Sequence, residues 1–326
     1  MIEVGNTPLL EVDAVYAKLE CTNPLGSIKD RIAKYIIEQS ERLGLLRPGM
    51  TIVEASSGNT GIALSYFARE KGYPTIIVMP RNMSDERKRI LKKLGAKLIL
   101  CSEGNFAKAA KIRDEIAKNP GYFNPDQFSN PLNAECHYRT TAQEILDQIK
   151  SYSDTICAFV SGVGTGGTLI GCGKRLKEAF PKIKIVAVEP LESRVMSGGE
   201  PGLHGIQGIG DGFIPAIVSD EMGGLDKLID DVLCISTGEA KDAARYLAKE
   251  RQLCVGISSG ANFLVAKRVA KKYGTTITVF PDGVSKYRSQ GLTRQGTAPC
   301  QNRKKCNCTV KARYLLLNPR VDCKCN

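Results

Sequence analysis

Seven short runs rich in β-branched residues, at 51–55, 75–79, 97–101, 155–161, 184–189, 231–236 and 276–281, alternate with stretches of helical periodicity. That alternation restricts the chain more than any other feature, because it is the rhythm of parallel strands covered by crossover helices. A Pro- and Asn-rich passage at 119–133 interrupts it before a long helical pattern that starts near Leu132. A boundary between two lobes is expected there. At 326 residues the chain is long enough for two apolar cores, with a cleft between them.

Three turns rich in glycine or serine join a strand to a helix: Ser56-Ser57-Gly58-Asn59-Thr60-Gly61, Gly162-Val163-Gly164-Thr165-Gly166-Gly167-Thr168 and Gly256-Ile257-Ser258-Ser259-Gly260. Open α/β sheets bind ligands at the carboxyl ends of their strands, so the three turns are candidates for one shared site. The first places backbone N–H groups at the start of a helix, with hydroxyls at Ser56, Ser57 and Thr60 and an amide at Asn59. This suits a carboxylate, although the same string also reads as a plain helix cap. The second offers bare glycine backbone ahead of a helix from Thr168, which suits a phosphate. Its Gly162-x-Gly164-x-x-Gly167 spacing also satisfies the dinucleotide fingerprint, and Glu189 stands where a ribose-binding acid would be. A nicotinamide-dependent dehydrogenase is therefore the main rival from another class.

Lys29 falls in the first turn of a predicted helix whose apolar positions are Ile28, Ile32, Ile36 and Leu43, with Ser27 and Asp30 spaced as a capping box. The positive end of the helix dipole favours its neutral amine, the form that attacks an aldehyde; a lone lysine there also reads as an ordinary surface residue.

Composition excludes several classes. The hydrophobic share of 42% and charged share of 25% are those of a globular protein. No basic leader and no apolar run of roughly 18 residues is present, which leads to the expectation of a cytoplasmic protein without membrane contact. The net charge is +12, but residues 296–326 hold seven Lys or Arg against Asp322 alone, half of the total. No basic stripe interleaved with aromatics precedes them, so no nucleic-acid partner is expected.

In this order, Gly5-Asn6-Thr7-Pro8-Leu9, Lys29 within Gly26-Ser27-Ile28-Lys29-Asp30-Arg31, the serine turn at 56–61 and Gly164-Thr165-Gly166-Gly167-Thr168 resemble the fold-type-II pyridoxal-phosphate enzymes. The likeness is to the cysteine synthase and cystathionine β-synthase branch, nearest to O-acetylserine sulfhydrylase, and runs from Gly5 to Tyr287. Gln127-Phe128 and Gly205-Ile206-Gln207-Gly208-Ile209-Gly210 resemble that branch's substrate-side segments. The resemblance implies two doubly wound three-layer α/β lobes with the cofactor, pyridoxal 5'-phosphate, in the cleft between them. The smaller lobe would be 26–140 and the larger, cofactor-binding lobe 1–25 with 141–295.

It further implies that Lys29 carries the cofactor, that Asn59 contacts its ring hydroxyl and that Gly164, Thr165, Gly166, Gly167 and Thr168 bind its phosphate. Ser56, Ser57, Asn59, Thr60 and Gln127 would hold the substrate carboxylate. The implied reaction is β-replacement: Lys29 is displaced, a Cα proton is removed, the β-substituent leaves to give an aminoacrylate, and a thiol adds. L-Cysteine from O-acetylserine and sulfide is the expected product, with O-phosphoserine sulfhydrylase and cystathionine β-synthase as alternatives, and a non-catalytic partner-binding homologue as a further one. A homodimer and a serine acetyltransferase partner are implied by the family alone.

Two positions depart from the pattern. Gly283 stands where many relatives have a serine facing the pyridine nitrogen, so Ser258 is the candidate for that contact. Asp211 stands where alanine is common. Neither His137 nor His204 is expected to be catalytic; both are read as structural or surface residues.

Beyond the resemblance, Cys300, Cys306, Cys308, Cys323 and Cys325 crowd a basic tail at 296–326. The pairs Cys306/Cys308 and Cys323/Cys325 could form a four-thiolate zinc site, and an unstructured appendage is the other reading. Truncation after Arg294 is expected to leave β-replacement activity largely intact.

Overall fold

The structure, a computed structural model, describes residues 2–56, 58–83, 85–102, 106–287 and 292. Ser57 and the whole 296–326 tail, with its five cysteines, lie outside the described residues.

Ten strands and nine α-helices are found among the described residues. In the first half they are β1 (Leu9–Val12), β2 (Val15–Leu19), α1 (Lys29–Arg42), β3 (Thr51–Ala55), α2 (Asn59–Glu70), β4 (Thr75–Pro80), α3 (Asp85–Lys93), β5 (Lys97–Cys101), α4 (Phe106–Ala117) and β6 (Tyr122–Phe123). In the second half come α5 (Pro131–Cys136), α6 (Ala142–Ile149), β7 (Ala158–Gly162), α7 (Gly167–Ala179), β8 (Lys184–Pro190), β9 (Asp231–Ile235), α8 (Thr237–Arg251), α9 (Ile257–Tyr273) and β10 (Thr276–Phe280).

Two sheets result. A four-stranded sheet has the order β5-β4-β3-β6 and is parallel throughout. A six-stranded sheet has the order β1-β2-β10-β7-β8-β9, parallel except for the antiparallel β1–β2 pair. Central strands are buried on both faces, as in β4 and β10, where every residue is buried. Their nearly continuous apolar runs therefore reflect helices on both sides.

Period-two alternation divides each core. In the larger sheet Ala158, Val160, Val186 and Val188 pack with α8 and α9, through residues such as Leu247 and Phe263. Their neighbours Phe159, Ile185 and Ala187 pack with α6 and α7, through Ile149 and Leu176. In the smaller sheet Ile52 meets α1 and α2 at Ile37 and Phe67, while Val53 and Val78 meet α4 at Ala109. Each fully buried Ile, Leu or Phe contributes about 1.5–3 kcal/mol.

Several local expectations change. The β1–β2 hairpin has no sequence signal, because its turn is Asp13-Ala14, both at positive φ (49° and 65°), where Asn-Gly or Asp-Gly would be usual. Leu43 is exposed and closes α1 instead of extending its buried stripe. Ser27 and Asp30 form no capping box: Ile28 is the N-cap residue, and the Asp30 carboxylate turns back to accept from the Leu25 N–H at 2.6 Å. The helical pattern after Leu132 is broken by a π-helical turn at His137–Thr141 between α5 and α6.

Candidate active site

The entry to α1 is tied to the larger sheet. Ser27 pairs with Asp282 in an antiparallel bridge, and the Ile28 N–H donates to the Pro281 carbonyl at 2.8 Å. Lys29, the next residue, thus projects from the first turn of a helix whose start rests on the strand end after β10. Its Nζ donates to Thr165 Oγ1 at 3.3 Å. Burial lowers the amine from its ordinary range to about 8, against the opposing pull of Asp211 and Glu54. The neutral form is therefore accessible near physiological pH.

The glycine turn follows β7 and opens α7. Gly166 caps the helix in the left-handed region, at φ 86°, where a side chain would be strained. A Cβ on Gly164 would stand 2.2 Å from the Gly208 carbonyl oxygen, so that position accepts no side chain. Thr165 is fixed by Asn133 Nδ2 at 2.9 Å, and Thr168 Oγ1 lies 3.3 Å from His137 Nε2. His137 is buried within the π-helical turn, bonded at Nδ1 to Thr141, and desolvation holds its proton affinity well below the usual imidazole range. It is a neutral support for the glycine turn and not a surface residue.

The serine turn is built differently. Ser56 Oγ accepts from the N–H groups of Gly58 at 3.2 Å and Gly61 at 2.9 Å, so this hydroxyl caps α2. Thr60 Oγ1 donates to Gln127 Oε1 at 2.6 Å, and Gln127 Nε2 donates to the Ala55 carbonyl at 2.9 Å. Beneath them Glu54, fully buried, accepts from the Gln127 N–H at 3.2 Å and from Arg113 at 3.1 Å; burial pushes its carboxyl up to about 7.

One cleft of about 810 Å³, open mouth included, joins these pieces. Lys29, Ser56, Asn59, Thr60, Gln127, Gly164, Thr165, Gly166, Thr168 and Ser258 all line it. Gly167 does not; it lies behind, against the Asn133 side chain. Ser285 also stands outside the lining, and Gly283 lies near the Cys254 carbonyl and Cys21.

Two further residues line the cleft, Asp211 and Arg87, and His204 supports the first of them. Burial raises the Asp211 carboxyl above the usual range, while Lys29 and His204 oppose this. His204 holds that turn in place: Nε2 donates to the Gly210 carbonyl at 2.7 Å and Nδ1 accepts from the Ile206 N–H at 3.2 Å. Arg87, from α3, reaches the wall with its guanidinium 5.7 Å from the Tyr287 ring centre. Its only sequence signal is a charge on the buried face of α3, beside Ile90 and Leu91.

The dinucleotide rival fails on Glu189. Its carboxylate is completely buried and accepts from the N–H groups of Met196 at 2.9 Å and Ser197 at 3.0 Å, and from the Ser197 hydroxyl. No oxygen is presented to a ribose. Pyridoxal phosphate does fit: a glycine cradle that a Cβ would fill and a partly neutral amine beside it face one cleft. Among the described residues no cluster of metal-ligating side chains occurs, and no helix is long and apolar enough to cross a membrane.

Comparison with known proteins agrees with this geometry. The family model described as pyridoxal-phosphate dependent enzyme matches residues 1–282. The chain is 44% identical over 301 residues to a cysteine synthase of Staphylococcus aureus, spanning 89% of this chain and 94% of the relative. A hydrogen sulfide-producing enzyme of Fusobacterium nucleatum has the same fold with a TM-score of 0.84 at 44% identity, over 90% of each chain. An O-acetylserine sulfhydrylase isoform of Entamoeba histolytica gives 0.81 at 39% identity, over 90% of this chain and 91% of the other.

Proposed function

The chain belongs to the pyridoxal-phosphate-dependent enzyme family, and from that premise we propose that it makes L-cysteine from O-acetylserine and sulfide by β-replacement. The observation that carries the reading is the Lys29 amine, lowered to about 8 and bonded to Thr165 of the glycine turn, in the cleft that Asn59, Thr60 and Gln127 also line.

When bound, pyridoxal phosphate supplies an electron sink for negative charge developing at the substrate Cα. The chain's own residues do the rest. Backbone N–H groups at the start of α7 and the Thr165 and Thr168 hydroxyls hold the phosphate. The start of α2, with Ser57, Thr60 and Gln127, holds the substrate carboxylate, while Ser56 keeps that helix start in shape. Lys29 Nζ, neutral in an appreciable fraction, takes and carries the Cα proton. Ser258, in the first turn of α9, meets the pyridine nitrogen in place of the serine absent at 283.

The donor is assigned to O-acetylserine because Asp211 sets a carboxyl at the cleft wall, against a doubly charged phosphoserine. The name of the Entamoeba histolytica relative supports the same donor. The same carboxyl favours a second reading, release of sulfide from cysteine, and the Fusobacterium nucleatum relative is by name a hydrogen sulfide-producing enzyme: a group whose affinity for protons is raised by burial can accept one from an entering water or thiol. Family membership extends the reading to a homodimer that a serine acetyltransferase could bind. The seven cysteines of the described residues, none placed in a disulfide and three of them buried, support a reducing cytoplasmic setting.

A panel of O-acetylserine, O-phosphoserine and serine against sulfide and homocysteine, with cysteine alone assayed for sulfide release, tests the proposal. Cysteine formation from O-acetylserine and sulfide is expected to be fastest. Turnover confined to O-phosphoserine would refute the donor, and faster sulfide release from cysteine would make the second reading the function.

A further inference from the structure

The function just proposed uses Asn59 but not the segment that grips it. After β10 the chain bends back through residues 281–287, bridging Ser27 with Asp282 and Val255 with Gly283. From this segment Lys286 and Asp282, 2% and 1% exposed, converge on the Asn59 carboxamide at the start of α2. Lys286 Nζ donates to Asn59 Oδ1 at 2.7 Å. Asn59 Nδ2 donates to Asp282 Oδ2 at 2.8 Å, and the Tyr287 hydroxyl donates to that same oxygen at 2.7 Å.

An ammonium has no lone pair to offer and an ionised carboxylate has no hydrogen. Exchanging the oxygen and nitrogen of Asn59 would break both contacts, so the orientation of this amide is fixed twice, by partners of opposite sign. One Nδ2 hydrogen goes to Asp282, which leaves one for the cleft that Asn59 lines. Without the ammonium, only the carboxylate would oppose a turned amide, which would present an acceptor where the donor had been.

We propose that Lys286 is a positioning residue for the cofactor: together with Asp282 it locks the Asn59 carboxamide so that a donor, and never an acceptor, meets the oxygen of the cofactor ring. The proposal rests on the reading of this cleft as a pyridoxal-phosphate site. Burial lowers the proton affinity of Lys286, and the opposing pull of Asp282 and Asp30 limits that shift.

The test is titration of the full-length apo-protein with pyridoxal 5'-phosphate, reading the apparent Kd and the absorption band of the Lys29-linked cofactor. Lys286→Met is expected to weaken binding about tenfold, the scale of one lost hydrogen bond to a charged group, and to move the band. Lys286→Arg recovers most of both changes. In an Asn59→Ala background Lys286→Met changes neither any further, because the lock acts only through Asn59. An unchanged Kd and band in Lys286→Met overturns the proposal, as does an equal change with Asn59 already removed, which would make Lys286 a residue of the fold alone. If Lys286→Met does not fold, Lys286→Ser, which admits water, carries the same comparison with the same two overturning results. A parent protein that takes up no cofactor at all refutes the reading of the cleft, and the proposal with it.

Discussion

At the start of α7 the chain offers bare backbone, whereas at the start of α2 it offers side chains that are already engaged. The glycine turn owes its shape to neighbours pressing from outside: the Gly208 carbonyl against Gly164, Val218 against Gly166 and Asn133 against Gly167. Of the side chains on this turn, only the Thr165 and Thr168 hydroxyls are already engaged, with Lys29 and Asn133 and with His137. In the serine turn Ser56 is spent on the Gly58 and Gly61 N–H groups, Thr60 on Gln127, and Asn59 on Lys286 and Asp282. A substrate carboxylate must compete with the bond of Thr60, whereas Asn59 is held for the cofactor ring. The first site is therefore preorganised for a permanent occupant, and the second for one that comes and goes.

The largest expected effect falls on the backbone site. Gly164→Ala should reduce cofactor affinity at least about 100-fold, since the added carbon meets a backbone oxygen that cannot rotate away, and overpacking of this kind costs about 1–3 kcal/mol or more. Equilibrium dialysis of the apo-protein checks it, and near-parental loading would show that the turn can yield. A smaller effect is expected from pH on the amine beside both turns. A lysine lowered to about 8 is neutral in about one molecule in ten at pH 7 and nine in ten at pH 9, so the rate of cofactor attachment should rise about tenfold between them. The sign follows from burial opposing the charged form: deprotonation sets in well below the ordinary 10.5, and a rate still climbing steeply between pH 9 and 10 would contradict the shift. The smallest effect belongs to the engaged side chains. Ser56→Ala should leave cofactor binding unchanged, raise the KM for the amino-acid donor about fivefold and cost about 1 kcal/mol of stability, the usual loss for a helix cap. A variant with altered cofactor affinity would erase the distinction between the two turns.

The same contrast explains what could be read from the sequence. The glycine turn was legible because its chemistry is carried by missing side chains at a fixed spacing, and the central strands because burial on both faces leaves continuous β-branched runs. The capping box at Ser27 and Asp30 was a local pattern overruled locally: Gly26, at φ 79°, turns the chain so that the Leu25 N–H reaches Asp30 first. The β1–β2 hairpin was hidden for the opposite reason. Its unfavourable Asp13-Ala14 turn is held by Tyr246 and Arg251, which bond Asp13 at 2.7 and 2.6 Å from helix α8, far along the chain. The grip of Lys286 and Asp282 on Asn59 has no sequence signature, since no spacing rule links positions more than 220 residues apart. Glu189 sat at the spacing of a ribose-binding acid, yet its oxygens close the loop at Met196 and Ser197.

Strand β10 also fixes the order in which the chain can be completed during synthesis. The four-stranded sheet uses only residues 51–123 and can assemble as soon as they leave the ribosome. The six-stranded sheet cannot, because β10 lies between β2 and β7 and pairs Ile277 with Tyr16. At about 5–20 residues per second, β2 waits roughly 13–50 s for this partner. The bond from Ile28 to Pro281 comes later still, so the turn that presents Lys29 is among the last parts to settle. A nascent chain halted before residue 276 would carry a finished smaller sheet and a reactive lysine with nothing yet to hold it in place.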